Sequence, residues 1–212
     1  VSLQKSDALM THFKSWLVEE PNNGFAMAGA LLIFDERKEY VAGLNFLEQY
    51  PEQLQRGQIQ LLKAKFLVLT GRALEARELF VNIPEMLKSQ PFAKAVEAKI
   101  LATDGDFLAA EQAIKSAYTE RPSVSHLLVY IEILNRLDKA DRVLVLLESH
   151  HQLQPDDKMV KVLLAEQYFY KQPNEAERLY RELLTEVPDN LIVLNNLAYF
   201  LKDKGKIDES LH

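Results

Sequence analysis

The chain contains no cysteine, which excludes disulfides, thiolate metal sites and cysteine nucleophiles, and leaves the redox compartment open. Seven glycines and eight prolines in 212 residues are few enough for a nearly all-helical protein with short connections. No run of about 18 apolar residues exists, and the richest stretch, 25–34, is too short to span a bilayer. Direct membrane insertion of this segment is therefore not expected. A concentrated basic face is missing too. The formal charge is −6, with basic residues spread along both halves, which argues against a nucleic-acid partner.

The signatures of catalysis are also absent. There is no G-x-S-x-G, no P-loop and no G-x-G-x-x-G, so no nucleophile elbow or phosphate cradle is encoded. The five histidines include no H-x-x-x-H pair. His150 and His151 are adjacent, so on a helix their side chains diverge by about 100° and do not share a metal. The histidines read as exposed helix-end residues. Glu19-Glu20 and Asp156-Asp157 read as solvated helix ends, the latter favoured by the dipole at a helix N-terminus. No catalytic residue, metal site or cofactor is expected.

What the chain does contain is a period. Ala30, Ala64, Ala98, Glu132, Ala165 and Ala198 follow one another at steps of 34 or 33 residues. A second ladder, Ala42, Ala76, Ala110, Val143, Ala176 and Ser210, repeats the same steps. Pro21, Pro122, Pro155 and Pro188 each stand twelve residues beyond Leu9, Ala110, Val143 and Ala176. Glu132 breaks the pattern of small residues in the fourth unit. Pro51 and Pro84 come early, and each is expected to open a helix, where the missing N–H costs nothing.

Apolar periodicity predicts helices at 3–19, 23–34, 37–49, 52–70, 72–82, 91–103, 106–119, 123–136, 139–152, 157–171, 173–186, 189–203 and 206–211. Residues 143–147 are β-prone taken alone, but the register places them in a helix. Gly71 and Gly105 fall at turns, where a left-handed residue is useful.

The two ladders resemble the tetratricopeptide repeat, a unit of about 34 residues built as a pair of antiparallel helices. The matching residues are Leu194, Leu197-Ala198, Leu201, Gly205 and Ser210 in the last unit, and Leu164-Ala165, Tyr168, Ala176, Tyr180 and Pro188 in the fifth. Ala98, Leu101, Gly105, Ala110, Ala117 and Pro122 carry it in the third. The resemblance implies an all-α fold, a right-handed α-α superhelix of stacked helix-turn-helix repeats. On that reading residues 1–212 form a single solenoid. It opens with the second helix of a truncated repeat (1–22), continues through full repeats at 23–56, 57–90, 91–124, 125–157 and 158–190, and closes on a truncated one (191–212). Val1 opens the chain without Met or a signal-like segment, which predicts a piece of a longer protein with exposed repeat ends able to self-associate.

In proteins similar to this one, first helices line a concave groove that holds a peptide or a partner helix. Carried onto this chain, the groove positions include Met27, Leu31, Phe34, Leu61, Lys65, Phe92, Lys99, Arg136, Glu166, Phe169, Tyr170, Asn195 and Tyr199. Lys65 and Lys99 occupy equivalent places, so they read either as a basic spot for a partner's carboxylate or as two solvated lysines. The Lys, Asn and Arg set of the family's carboxylate clamp is not matched. Phe169, Tyr170 and Tyr199 read as an aromatic patch or as core.

The resemblance thus implies a non-catalytic scaffold that binds a protein or peptide partner. The alternatives are a spacer within a longer solenoid, or an accessory region of an enzyme whose catalytic domain lies elsewhere. Degenerate units rich in Leu, Ala and Glu also resemble, in general character, bacterial envelope-associated arrays such as the PEP-CTERM-system lipoproteins linked to exopolysaccharide export. Localisation stays open between bacterial cytoplasm and envelope.

Overall fold

The computed structural model describes residues 3–205. The described residues are helical throughout, with no strand among them. In order the helices are α1 (Leu3–Glu19), α2 (Gly24–Glu36), α3 (Tyr40–Glu48), α4 (Gly57–Leu69), α5 (Ala73–Val81), α6 (Glu85–Lys88), α7 (Pro91–Thr103), α8 (Phe107–Glu120), α9 (Val124–Arg136), α10 (Ala140–Leu153), α11 (Lys158–Lys171), α12 (Pro173–Glu186) and α13 (Leu191–Asp203). The chain divides into two compact units, Val1–Arg121 and Pro122–His212.

Within each unit the helices pack as sequential pairs, α2 with α3, α4 with α5 and α7 with α8 in the first, α9 with α10 and α11 with α12 in the second. Small residues set the approach. Ala64, Ala98 and Ala165, each eighth in its helix, are fully buried. Ala76, Ala110 and Ala176, each fourth in the second helix of a pair, are fully buried as well. A methyl group at these places lets the partner backbone come close, and larger neighbours such as Phe66, Leu127, Tyr180 and Phe200 fill the remaining space. Burying one such side chain contributes roughly 1.5–3 kcal/mol, and a lone pair of helices has too few of them to offset its ordering entropy.

Two rungs differ from the sequence register. In the first full repeat the fourth residue of α3 is Gly43, not Ala42; Gly43 is buried and Ala42 is exposed. A Cβ on Gly43 would come within 2.5 Å of the Phe66 ring and 3.2 Å of the Phe34 Cβ, so even alanine is too large. In the fourth repeat Glu132 is exposed, and the eighth residue of α9 is the half-buried Ile131. The anomaly of a charged rung disappears once helices are counted from their own starts.

The turns inside pairs repeat too. Lys38, Gly71, Gly105, Asp138 and Gly205 all adopt positive φ, between 57° and 84°, reversing the chain after the first helix of a pair. The pair α11–α12 departs from this. There Gln172 alone separates the helices, with φ −138° and ψ 65°, outside the α region that the following Pro173 disfavours.

The segment predicted as one helix over 52–70 is broken. Pro51–Gln55 forms a 3-10 turn, Arg56 is extended, and α4 starts at Gly57. Tertiary contacts hold the break: the Gln53 amide donates to the Pro21 carbonyl at 2.7 Å and the Arg56 guanidinium to the Asn22 carbonyl at 2.9 Å. Pro51 does open its turn, and Pro84 directly precedes α6, a short helix without counterpart among the predicted ones. The predicted helix at 206–211 and the ladder residue Ser210 lie outside the described residues. Helix starts are capped where the sequence offers a side chain: Asn23, Asp106, Ser123, Asp157 and Asn190 each accept a backbone N–H of the first turn.

Candidate functional site

In the first unit the expected groove residues are spent on packing. Met27, Leu31 and Phe34 are core residues of α2, and Leu61 of α4, because the helix phase turns them onto the neighbouring helices. Lys65 is not a free cation: its Nζ donates to Asp35 Oδ2 at 2.7 Å, from α4 to α2, and lies 5.8 Å from the centre of the half-buried Phe92 ring. Lys99 is half-buried and likewise engaged. Lys65 is thus already paired with a carboxylate of the chain itself. Arg136, in the last turn of α9 in the second unit, is exposed and also engaged.

The second unit does assemble residues singled out in the sequence. Glu166, Phe169 and Tyr170 lie three and four residues apart on α11 and share a face. Opposite them α13 brings Asn196 and Tyr199. With Tyr180 of α12 these residues line a cleft of about 220 Å³. Phe169 is buried, whereas Tyr170 and Tyr199 keep 74% and 60% of their surface exposed. The three rings form one cluster: Phe169 to Tyr170 is 4.7 Å edge-on and Phe169 to Tyr199 is 5.7 Å between centroids. Phe200 fixes Phe169 from behind, at 5.2 Å and near-perpendicular.

The polar side of the cleft is equally ordered. Asn196 Nδ2 donates to Glu166 Oε1 at 3.0 Å, joining α13 to α11. The buried Tyr180 hydroxyl has its pKa pushed up to about 12, first by burial and then by the charge of Glu166, with a hydrogen bond to Asn196 acting against them. Asn195, the residue expected in the groove, is exposed and does not line the cleft. Its neighbour Asn196 does, because one residue along a helix is a rotation of about 100°. Nothing in the bare sequence distinguished the two.

Two other clefts are bridged by their own side chains. Between α10, α11 and α12 the Tyr168 hydroxyl donates to Glu148 Oε1 at 2.7 Å, and burial together with Glu148 pushes its pKa up to about 12. Arg178 across that cleft is paired with Glu175 and Glu182. In the first unit a cleft of about 480 Å³ between α5 and α7 is bridged by the Arg77–Asp104 ion pair.

The histidines correct the expectation of exposure. His126 and His150 are buried, and burial pushes the His150 imidazole pKa down. His12 is exposed as expected, its ring tilted 55° to that of Trp16 at 4.4 Å between centroids, and His212 lies outside the described residues. Among the described residues no group of three His, Cys, Asp or Glu is placed to hold a metal ion, and no helix is long and apolar enough to cross a membrane.

Several solved structures share this arrangement of helices. A tetratricopeptide repeat protein from Parabacteroides merdae superposes with a TM-score of 0.68 at 14% identity, over 93% of this chain and 78% of that one. The fold is that of tetratricopeptide-repeat proteins. A chain of the APC/C hetero-tetramer Cut9-Hcn1 matches 94% of this chain with a TM-score of 0.68 at 17% identity, and this chain spans 40% of its length. Human IFIT1, solved as a dimer with m7Gppp-AAAA, matches 97% of this chain with a TM-score of 0.73 at 17% identity, over 52% of its own length. No protein-family model and no curated protein matches the chain. Nothing among these matches bears on the resemblance to envelope-associated lipoprotein arrays.

Proposed function

We propose that the chain is a non-catalytic interaction scaffold and that a partner segment docks in the cleft between α11 and α13. The observation that carries this reading is the pair of tyrosines, Tyr170 and Tyr199, held largely exposed on either side of the buried Phe169. Aromatic side chains that are rigid and exposed supply contact area at little cost in conformational entropy, and they are enriched where proteins meet. The clefts at Tyr168 and at Arg77 are spanned by an internal hydrogen bond and an internal ion pair. The tetratricopeptide-repeat fold favours a protein or peptide partner, and the acidic charge of the chain speaks against nucleic acid. No cofactor enters this function.

A display library of random peptides selected on the wild-type chain, with a Tyr170→Ser/Tyr199→Ser variant as counter-selection, tests the reading. Both tyrosines are exposed, so the variant keeps its helicity by circular dichroism. Peptides retained by the wild type and lost on the variant support docking in the cleft. No enrichment, or equal retention by both proteins, refutes it.

A further inference from the structure

Resting on the docking reading above, we infer that the α11–α13 cleft receives an arginine side chain of the partner segment. The cleft offers negative potential from two kinds of source. One is the carboxylate of Glu166, the only charged group among the described residues of its lining. Its Oε1 accepts from Asn196, Glu166 is exposed, and its Oε2 has no hydrogen bond to a described residue, so the carboxylate keeps acceptor capacity. The other is the set of ring faces of Tyr170 and Tyr199, whose quadrupoles attract a cation stacked on them.

Among the described residues no basic side chain lines this place. Lys171, next to Tyr170 in sequence, lies 3.6 Å from Asp141 of α10, and Lys202, a turn beyond Tyr199, does not line the cleft. Arginine suits it better than lysine. Its planar guanidinium stacks on a tyrosine ring and still presents in-plane N–H groups to a carboxylate, whereas an ammonium is a compact, strongly hydrated point charge. Glu166 and Tyr170 are one helical turn apart on α11, so a single guanidinium between them meets both.

The test is a titration of the wild-type chain, followed by amide and aromatic NMR spectra, with two probes: acetyl-Gly-Gly-Arg-Gly-Gly-amide and the same peptide with citrulline for arginine. Citrulline keeps the shape and removes the charge. The arginine peptide is expected to shift signals of Tyr170, Tyr199 and Phe169 and to bind about fivefold or more tightly than the citrulline peptide. Glu166→Gln is expected to remove most of that preference while leaving the dispersion of the spectrum intact. Equal binding of the two peptides, no shift at the cleft, or a preference that survives Glu166→Gln overturns the inference. The docking reading is judged separately. Display-selected peptides that lack arginine yet are lost on the double tyrosine variant leave it standing while this inference fails.

Discussion

Gly43→Ala sets two effects of known sign against each other. In the interior of a helix, alanine is favoured over glycine by about 1 kcal/mol, so α3 alone gains from the change. The added methyl, however, arrives 2.5 Å from Phe66 Cε2, 2.9 Å from its Cδ2 and 3.2 Å from Phe34 Cβ. Phe66 is fully buried and Phe34 nearly so, and a Cβ is anchored to its backbone, so neither yields easily. Overpacking of this kind costs about 1–3 kcal/mol, which outweighs the gain and leaves the variant about 1 kcal/mol less stable. The chain's single tryptophan, Trp16, lies in the same unit and reports its unfolding by fluorescence. With an m-value of about 2 kcal/mol per M, the urea midpoint falls by about 0.5 M. Gly29→Ala is the control. Its new methyl meets the ring of the half-buried Phe13 at 2.4 Å, a side-chain tip that can swing away, so its midpoint falls less or rises. A rise in midpoint for Gly43→Ala would refute the close-packing account of the rung.

Three further outcomes follow from the fold. Lys161 is buried on α11 and its Nζ lies 2.7 Å from both Glu182 and Glu186; those hydrogen bonds lower both carboxyl pKa values and raise that of the lysine. The stabilisation is therefore complete between the ordinary carboxylate and lysine ranges. It is lost as pH falls through the lowered carboxyl values or rises through the raised lysine value. Lys161→Met is accordingly expected to lower hydrogen-exchange protection of α11 and α12 near neutrality, with the difference from wild type shrinking towards pH 3; a gap independent of pH sinks the idea. Ala176→Asp buries a charge in the contact between α11 and α12, and since that site has no exposed surface it is expected to melt the second unit's helices in thermal circular dichroism while the Trp16 transition persists. Lys38 holds φ at +58°, so Lys38→Gly relieves left-handed strain against a loss of backbone entropy and should raise the stability reported by Trp16 modestly, by about 0.5 kcal/mol; a lower midpoint counts against strain there.

The repeating fold was legible because small residues recur where helices touch, as at Ala64, Ala98, Ala110 and Ala176. Its phase was less so. Ala42 and Glu132 each stood one residue from the true rung, since spacing counted along the sequence passes through turns whose length varies. Groove positions fell in the core at Met27, Leu31 and Leu61 although the rungs Ala30 and Ala64 of the same helices are buried as expected, and Asn195 was expected where Asn196 stands, because which side of a helix is covered depends on its neighbours. The Lys65–Asp35 pair joins residues 30 apart, a distance at which no local pattern signals a bond. Glu166, Phe169, Tyr170 and Tyr199 could be picked out as positions. That Tyr170 and Tyr199 stay exposed while Phe169 is buried depends on Phe200 and the α13 contact, which only the folded chain supplies.

The rung of every second helix falls on its fourth residue, from Gly43 to Ala176, whether the preceding step is 33 or 34 residues. Register is thus reset at each helix start, and a residue gained or lost in a turn changes no contact further along. Changing a turn by one residue adds only a small loop-closure term. Such an array can lengthen, shorten or exchange modules by recombination between neighbouring copies without rebuilding its interior. Lineages are then free to vary the number of modules while selection acts on the few side chains that face a partner.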